Sequence, residues 1–166
     1  MKLVHTRSKR ESGFTLIEMM IVLAVFAIMA TIAIPAFMSL LPGMRLNGSA
    51  RDIFVTMNQT RMQAVGKNTV GIIKFDPANN TFTAWLENDP ATNNWALDST
   101  ETTIKSGSTE TGVSISGTTI PSHTFGYNSR GLPAGGTPGA YAVTLTNSEG
   151  DTQQVQVNAL GVIKMP

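Results

Sequence analysis

From Met19 to Leu41 the chain runs for 23 residues without a charge, and Glu18 stands directly before that run. A helix of ~20 such residues spans the ~30 Å hydrocarbon core of a bilayer. The segment therefore demands lipid or an equally apolar protein environment. A carboxylate at its mouth is expensive there and marks a functional-site candidate whose partner has to be found. Within the chain no obvious partner for Glu18 exists.

Charge placement adds direction. Of 12 basic and 11 acidic side chains, Lys2, Arg7, Lys9, Arg10 and Glu11 fall in the first 13 residues, which leaves eight basic and ten acidic beyond. A basic leader before an apolar span favours a cytoplasmic N-terminus. A slightly acidic body gives no general attraction to nucleic acid. Cysteine is absent, so the chain uses no disulfide, thiol nucleophile or thiolate metal site.

Three readings fit the N-terminal segment. It is a plain membrane anchor, or a secretory signal with small residues at Ala30-Thr31-Ile32-Ala33 and Ile34-Pro35-Ala36, or a specialised signal that uses Glu18. A conventional signal has an apolar region of only 7–15 residues, and this run exceeds it. The third reading rests on Gly13-Phe14-Thr15-Leu16-Ile17-Glu18. In this it resembles the type IV prepilins and type II secretion pseudopilins, whose signature is Gly, Phe, a few apolar residues and Glu at the fifth mature position.

That resemblance implies cleavage between Gly13 and Phe14 by a prepilin peptidase, N-methylation of Phe14, and retention of the helix in the bacterial inner membrane. It also implies a cytoplasmic N-terminus, a periplasmic head, an inner-membrane assembly platform, and other pilins or pseudopilins as filament partners. Physical chemistry gives Glu18 a task in such a filament. An ordinary α-amine has a pKa of ~7.7–8.0 and is largely protonated at neutral pH. Opposite unit charges ~4 Å apart attract by ~4 kcal/mol at an effective dielectric of ~20. If the amine of Phe14 and the carboxylate of Glu18 belong to neighbouring subunits, the pair rewards lateral assembly in one axial stagger. The alternative is that Glu18 snorkels to headgroups. Pro35 lies inside the span and removes a backbone donor, which predicts a kink or local melting; tolerance within a bundle is the other reading. Pro42-Gly43 is a second weak point.

Beyond Gly43 the apolar residues Leu46, Ala50, Ile53, Phe54, Met57, Ala64 and Val65 recur at helical spacing. Arg45, Asn47, Arg51, Asp52, Asn58, Gln59 and Arg61 would face away. The expected helix runs from Thr15 to about Val65, ~75 Å at 1.5 Å per residue. Strands are expected at 69–75, 81–87, 102–105, 112–116, 124–127, 141–146, 153–157 and 162–163, with hairpin turns at 76–80 and 147–151. Asp89–Ser99 reads as a polar loop broken by Trp95, and Pro133–Gly139 as another loop.

The expected organisation is a leader over 1–13, a membrane or filament-core helix over 14–41, its amphipathic continuation over 42–67, and a β-rich head over 68–166. The fold class is α+β, a long helix packed on an antiparallel sheet or sandwich. Phe125-Gly126-Tyr127-Asn128-Ser129-Arg130-Gly131, Val143-Thr144-Leu145-Thr146 and the run from Val155 to Ile163 resemble the GspH/FimT branch of minor pilins and pseudopilins.

Enzymatic chemistry finds no foothold. His5 lies in the leader and His123 beside a strand, apart from any second ligand. The glycines follow no phosphate-binding pattern. Asp76, Asn79 and Asn80, or Asp89, Asn93 and Asn94, offer oxygens to Ca²⁺, but such a cation takes six to eight ligands and turns of this kind are usually only turns. The expectation is no catalytic residue, no metal and no cofactor. Some FimT-like minor pilins bind DNA through basic residues near the C-terminus. Here Lys105, Arg130 and Lys164 alone follow residue 74, too few for strong phosphate binding. The leading expectation is a non-catalytic minor pilin or pseudopilin; the alternative is a membrane-tethered periplasmic binding module, for example one that captures DNA.

Overall fold

One helix, α1, spans Leu16–Lys67 in the computed structural model, which describes residues 13–88, 95–134 and 140–166. The chain falls into two units, one ending at Ser39 and one running Leu40–Pro166. In the first, the large apolar side chains from Phe14 to Met38 are exposed, as expected of a surface made for lipid or for other helices. Helical backbone continues through Pro35 and through Pro42-Gly43, so no break in the helix accompanies either proline in the single chain. Ser39 donates its hydroxyl to the Ala36 carbonyl at 2.9 Å and Thr31 donates to Ile28 at 2.6 Å, which keeps these polar groups satisfied within the helix itself.

In the second unit α1 buries Leu46, Ser49, Ala50, Ile53, Thr56, Met57, Thr60 and Ala64. The apolar periodicity found the stripe but missed its three hydroxyls. Thr56 and Thr60 donate to the carbonyls of Asp52 and Thr56 at 2.8 Å, so neither carries an unmet hydrogen bond into the core. Their small size lets the sheet come close: a Cβ on Gly71 would stand 2.8 Å from Thr60. Phe54 is only partly buried and Val65 is exposed. The expectation that Arg45, Asp52 and Arg61 face away is corrected. Arg45 donates to the Thr111 carbonyl at 3.3 Å, Arg61 Nε donates to the Gly131 carbonyl at 2.8 Å, and Asp52 pairs with Lys105. The long arginines at the edge of the stripe reach round the helix to the loops beside it, and Lys105 reaches Asp52 from β3.

The strands form two antiparallel sheets. The first is ordered β3(Thr102–Ser108), β2(Thr81–Glu87), β1(Val70–Asp76), β5(Thr124–Tyr127), β6(Pro133–Ala134). The second is ordered β4(Val113–Thr118), β7(Tyr141–Asn147), β8(Thr152–Val157), β9(Ile163–Lys164). Pro133-Ala134, expected as loop, pairs with Tyr127 and Gly126; an edge position tolerates proline because its missing donor faces away from the ladder. Both long edge strands are interrupted, β3 opposite Ala84/Trp85 and β4 between Ile115 and Gly117. Bulges of this kind discourage uncontrolled strand addition.

The helix stripe and the inner faces of both sheets share one core through Ile53, Met57, Phe75, Phe125, Tyr127, Val143, Leu145 and Val155. A smaller apolar site lies on the opposite face of the first sheet. Paired Ile72, Trp85 and Gly126 face outward together, and the Trp95 ring rests on Gly126, where a Cβ would meet it at 2.7 Å. Reading 89–99 as a polar loop missed this role of Trp95; residues 89–94 lie outside the described residues.

One five-residue turn occurs three times: Asn128-Ser129-Arg130-Gly131-Leu132, Asn147-Ser148-Glu149-Gly150-Asp151 and Asn158-Ala159-Leu160-Gly161-Val162. In each the asparagine Oδ1 accepts the N–H groups two and four residues on, at 2.9–3.1 Å. In each the glycine has positive φ, at 71°, 89° and 74°. Asn supplies the side-chain acceptor and Gly the left-handed residue that other side chains resist.

Candidate functional site

The residues singled out at the N-terminal end sit where local rules start a helix. Gly13, Phe14 and Thr15 are non-helical and exposed, and α1 begins at Leu16. Thr15 Oγ1 accepts the backbone N–H of Glu18 at 3.3 Å, which makes Thr15 the N-cap. Thr15-x-x-Glu18 is the capping-box spacing, a signal that reading Glu18 as an unpartnered charge passed over. Glu18 also lies in the first turn, where the helix dipole favours an anion. The carboxylate is exposed and free to meet a cation beyond its own chain.

The arrangement thus presents an exposed, non-helical Gly13-Phe14 segment directly ahead of a capped helix. Phe14 and the Glu18 carboxylate lie near the same helix end. Residues 1–12, including His5, lie outside the described residues.

A second constellation gathers at the Lys67 end of α1. The Gly131 carbonyl accepts from Arg61, and a Cβ on Gly161 would stand 2.6 Å from that same oxygen. Two of the repeated turns therefore stack against each other and against the helix. Tyr127 lies beneath them, fully buried; burial pushes its phenol well above the usual range, only partly offset by the nearby Arg61. Its hydroxyl has no partner among the described residues.

The remaining polar candidates resolve into turn chemistry. Asp76 accepts from the backbone of Ala78 and Asn79 and from the Asn79 amide, and these bonds, the Asn79 side chain first, hold its carboxyl below the usual carboxylate range. Asn80 Oδ1 accepts from Ile115 N at 2.9 Å. Asp98 is lowered likewise, chiefly by the Thr100 hydroxyl. His123 Nδ1 lies 2.7 Å from the Thr118 hydroxyl. Among the described residues no three His, Cys, Asp or Glu side chains gather to hold a metal; Asp89, Asn93 and Asn94 lie outside them.

Two family matches cover consecutive parts of the chain. The prokaryotic N-terminal methylation motif matches residues 8–34, and the type II transport protein GspH family matches residues 49–161. The chain belongs to the GspH family. It is a minor pilin or pseudopilin, and the apolar half of α1 is its membrane-anchoring element. The type IV minor pilin FimU of Pseudomonas aeruginosa shares the fold of this GspH-family chain at a TM-score of 0.56 and 8% identity, over 73% of this chain and 87% of that one. The minor pseudopilin EpsH of the type 2 secretion system of Vibrio cholerae shares it at 0.55 and 11% identity, over 74% and 96%. No curated protein matches the chain. Identities this low place the fold and leave the machine open.

Proposed function

We propose that this GspH-family protein is cut between Gly13 and Phe14, methylated on the Phe14 amine, and held in the inner membrane with its N-terminus cytoplasmic and its head periplasmic. From there it joins a periplasmic filament for type II secretion or type IV pilus biogenesis. Its partners are other pilins or pseudopilins, the prepilin peptidase and the inner-membrane assembly platform. It works by contact and carries out no catalysis. Glu18 pairs with the amine of Phe14 on an adjacent subunit, and Pro35 gives the helix a place to loosen once it is packed in the filament.

The observation that carries this reading is the order of the two matches. A methylation motif at 8–34 leads into a GspH head at 49–161, and one capped helix joins them. The test is Glu18→Ala. Cleavage and methylation proceed, whereas incorporation into the sheared filament fraction falls. Incorporation at the level of the unmodified chain would overturn the role given to Glu18.

A further inference from the structure

Along the Lys67 end of α1 the second unit opens a groove of about 430 Å³ lined by Asn58, Arg61, Met62, Val65, Arg130 and Gly131. Met62 is 72% exposed and Val65 49%. The stacked turns beside them add Leu132 and Leu160, at 39% and 66%. Exposed apolar groups gathered on one face mark an interaction site. Methionine and arginine over an apolar floor are also the make-up of the centre of a protein interface, where carboxylates are scarce. No Asp or Glu is in the lining.

The groove is held in shape before anything binds. Arg61 donates Nε to the Gly131 carbonyl at 2.8 Å, and a Cβ on Gly131 would stand 3.1 Å from that Nε and 3.2 Å from Val65 Cγ2. Turn and helix are therefore in close contact. Asn128 Oδ1 fixes the same turn by accepting the N–H groups of Arg130 and Leu132 at 2.9 and 3.1 Å. A partner meets a surface already built, and binding is spared the cost of ordering it. The Arg130 side chain is exposed, and its guanidinium has no acceptor among the described residues. Two guanidinium groups without a carboxylate beside them call for carboxylates from outside, which they bind as planar forks. Phosphate also suits arginine, but a nucleic-acid backbone gains nothing from Met62 and Val65. A peptide segment offers charge and apolar side chains together.

We propose that this groove receives an acidic, apolar segment of a different subunit of the filament. One aliphatic or aromatic side chain lies on Met62 and Val65, and flanking carboxylates meet Arg61 and Arg130. The inference rests on the filament reading above and adds to it a docking surface and the chemistry of the neighbour it selects. Complementary charge then decides which neighbour docks there and in what orientation.

Photocrosslinking in the native membrane tests this. The full-length chain carries the photoreactive residue p-benzoylphenylalanine in place of Met62, with Arg130 intact, as Arg130→Lys or as Arg130→Glu. Position 62 is exposed, and Arg130 serves its turn only through its backbone N–H, so these changes leave the fold in place. The expected product on illumination is an adduct with one other protein, whose crosslinked peptide holds at least two Asp or Glu residues beside an apolar one. Arg130→Glu lowers the adduct about three- to fivefold, the scale of one exposed charge pair, while Arg130→Lys retains most of it. Arginine in place of a captured carboxylate restores the yield against Arg130→Glu. An adduct with a second copy of this chain, with lipid or with nucleic acid overturns the proposal. So does a captured segment without carboxylates, a yield indifferent to charge, or no adduct from a chain that enters the sheared filament fraction. A charge-dependent adduct from a chain that never enters that fraction leaves the groove standing and overturns the filament reading instead.

Discussion

Gly161→Ala separates two costs that the head places at one residue. Gly161 has φ of 74°, and a Cβ there meets the Gly131 carbonyl oxygen at 2.6 Å, with Pro133 Cδ and Tyr127 Cε1 at 3.4 Å. The left-handed backbone costs a non-glycine residue roughly 1–2 kcal/mol. Forcing an extra carbon into a packed site adds typically ~1–3 kcal/mol, and here the obstacle is backbone. Moving that oxygen also disturbs the 2.8 Å bond from Arg61 Nε that fastens the turn to the helix. The expected total is about 2–5 kcal/mol, a large share of the ~5–15 kcal/mol that holds a domain together. Gly150→Ala is the matched control: its φ is 89° and nothing lies within 4 Å of a Cβ there, so only the ~1–2 kcal/mol backbone term applies. Thermal unfolding of the detergent-solubilised chain, followed by the fluorescence of Trp85 and Trp95, reads both. At ~4 °C per kcal/mol for a domain of this size, Gly161→Ala lowers the midpoint by about 8–20 °C and Gly150→Ala by about 4–8 °C. Equal losses would refute the claim that the two turns are stacked through Gly131 and Gly161.

Asn158→Ala removes the acceptor for two backbone N–H groups and is expected to cost about 1–3 kcal/mol in the same unfolding assay. Lys105→Met breaks the half-exposed pair with Asp52 and changes stability by less than about 1 kcal/mol, an effect that shrinks further in high salt. Tyr127 gives an alkaline limb. Its raised folded-state pKa means that its contribution is whole below the ordinary value of 10 and is lost as pH rises above it; Tyr127→Phe removes that limb in a pH series of unfolding midpoints. Asp76 runs the other way. With its carboxyl held below the ordinary 3.8, its contribution is present above that value and lost as pH falls beneath it, so Asp76→Asn flattens the acid limb.

Much of the molecule was legible in residues because its signals were local. Apolar length gave the first half of α1, helical spacing gave the second, and β-rich runs between turn residues gave most strands to within a few positions. What escaped depended on tertiary partners. Thr56 and Thr60 read as polar and are buried, because a hydroxyl that bonds back to its own helix hides its polarity. Arg61 read as solvent-facing and reaches the Gly131 turn, since side-chain length lets it round the helix, while Asp52 is met by the long Lys105 side chain from β3. Trp95 stood out as a break in a polar stretch without a role, and only the pairing of Ile72, Trp85 and Gly126 creates the surface it covers. At the candidate site, Gly13, Phe14 and Glu18 stood out from the sequence. The capping role of Thr15 was written there as well, but a charge beside an apolar run drew the reading away from it.

The mass of the intact protein purified from its native membrane tests the central claim most directly. A species that begins at Phe14 and carries one added methyl group is the predicted result. A chain that retains Met1 to Gly13, or one that starts beyond Ala33, would contradict it.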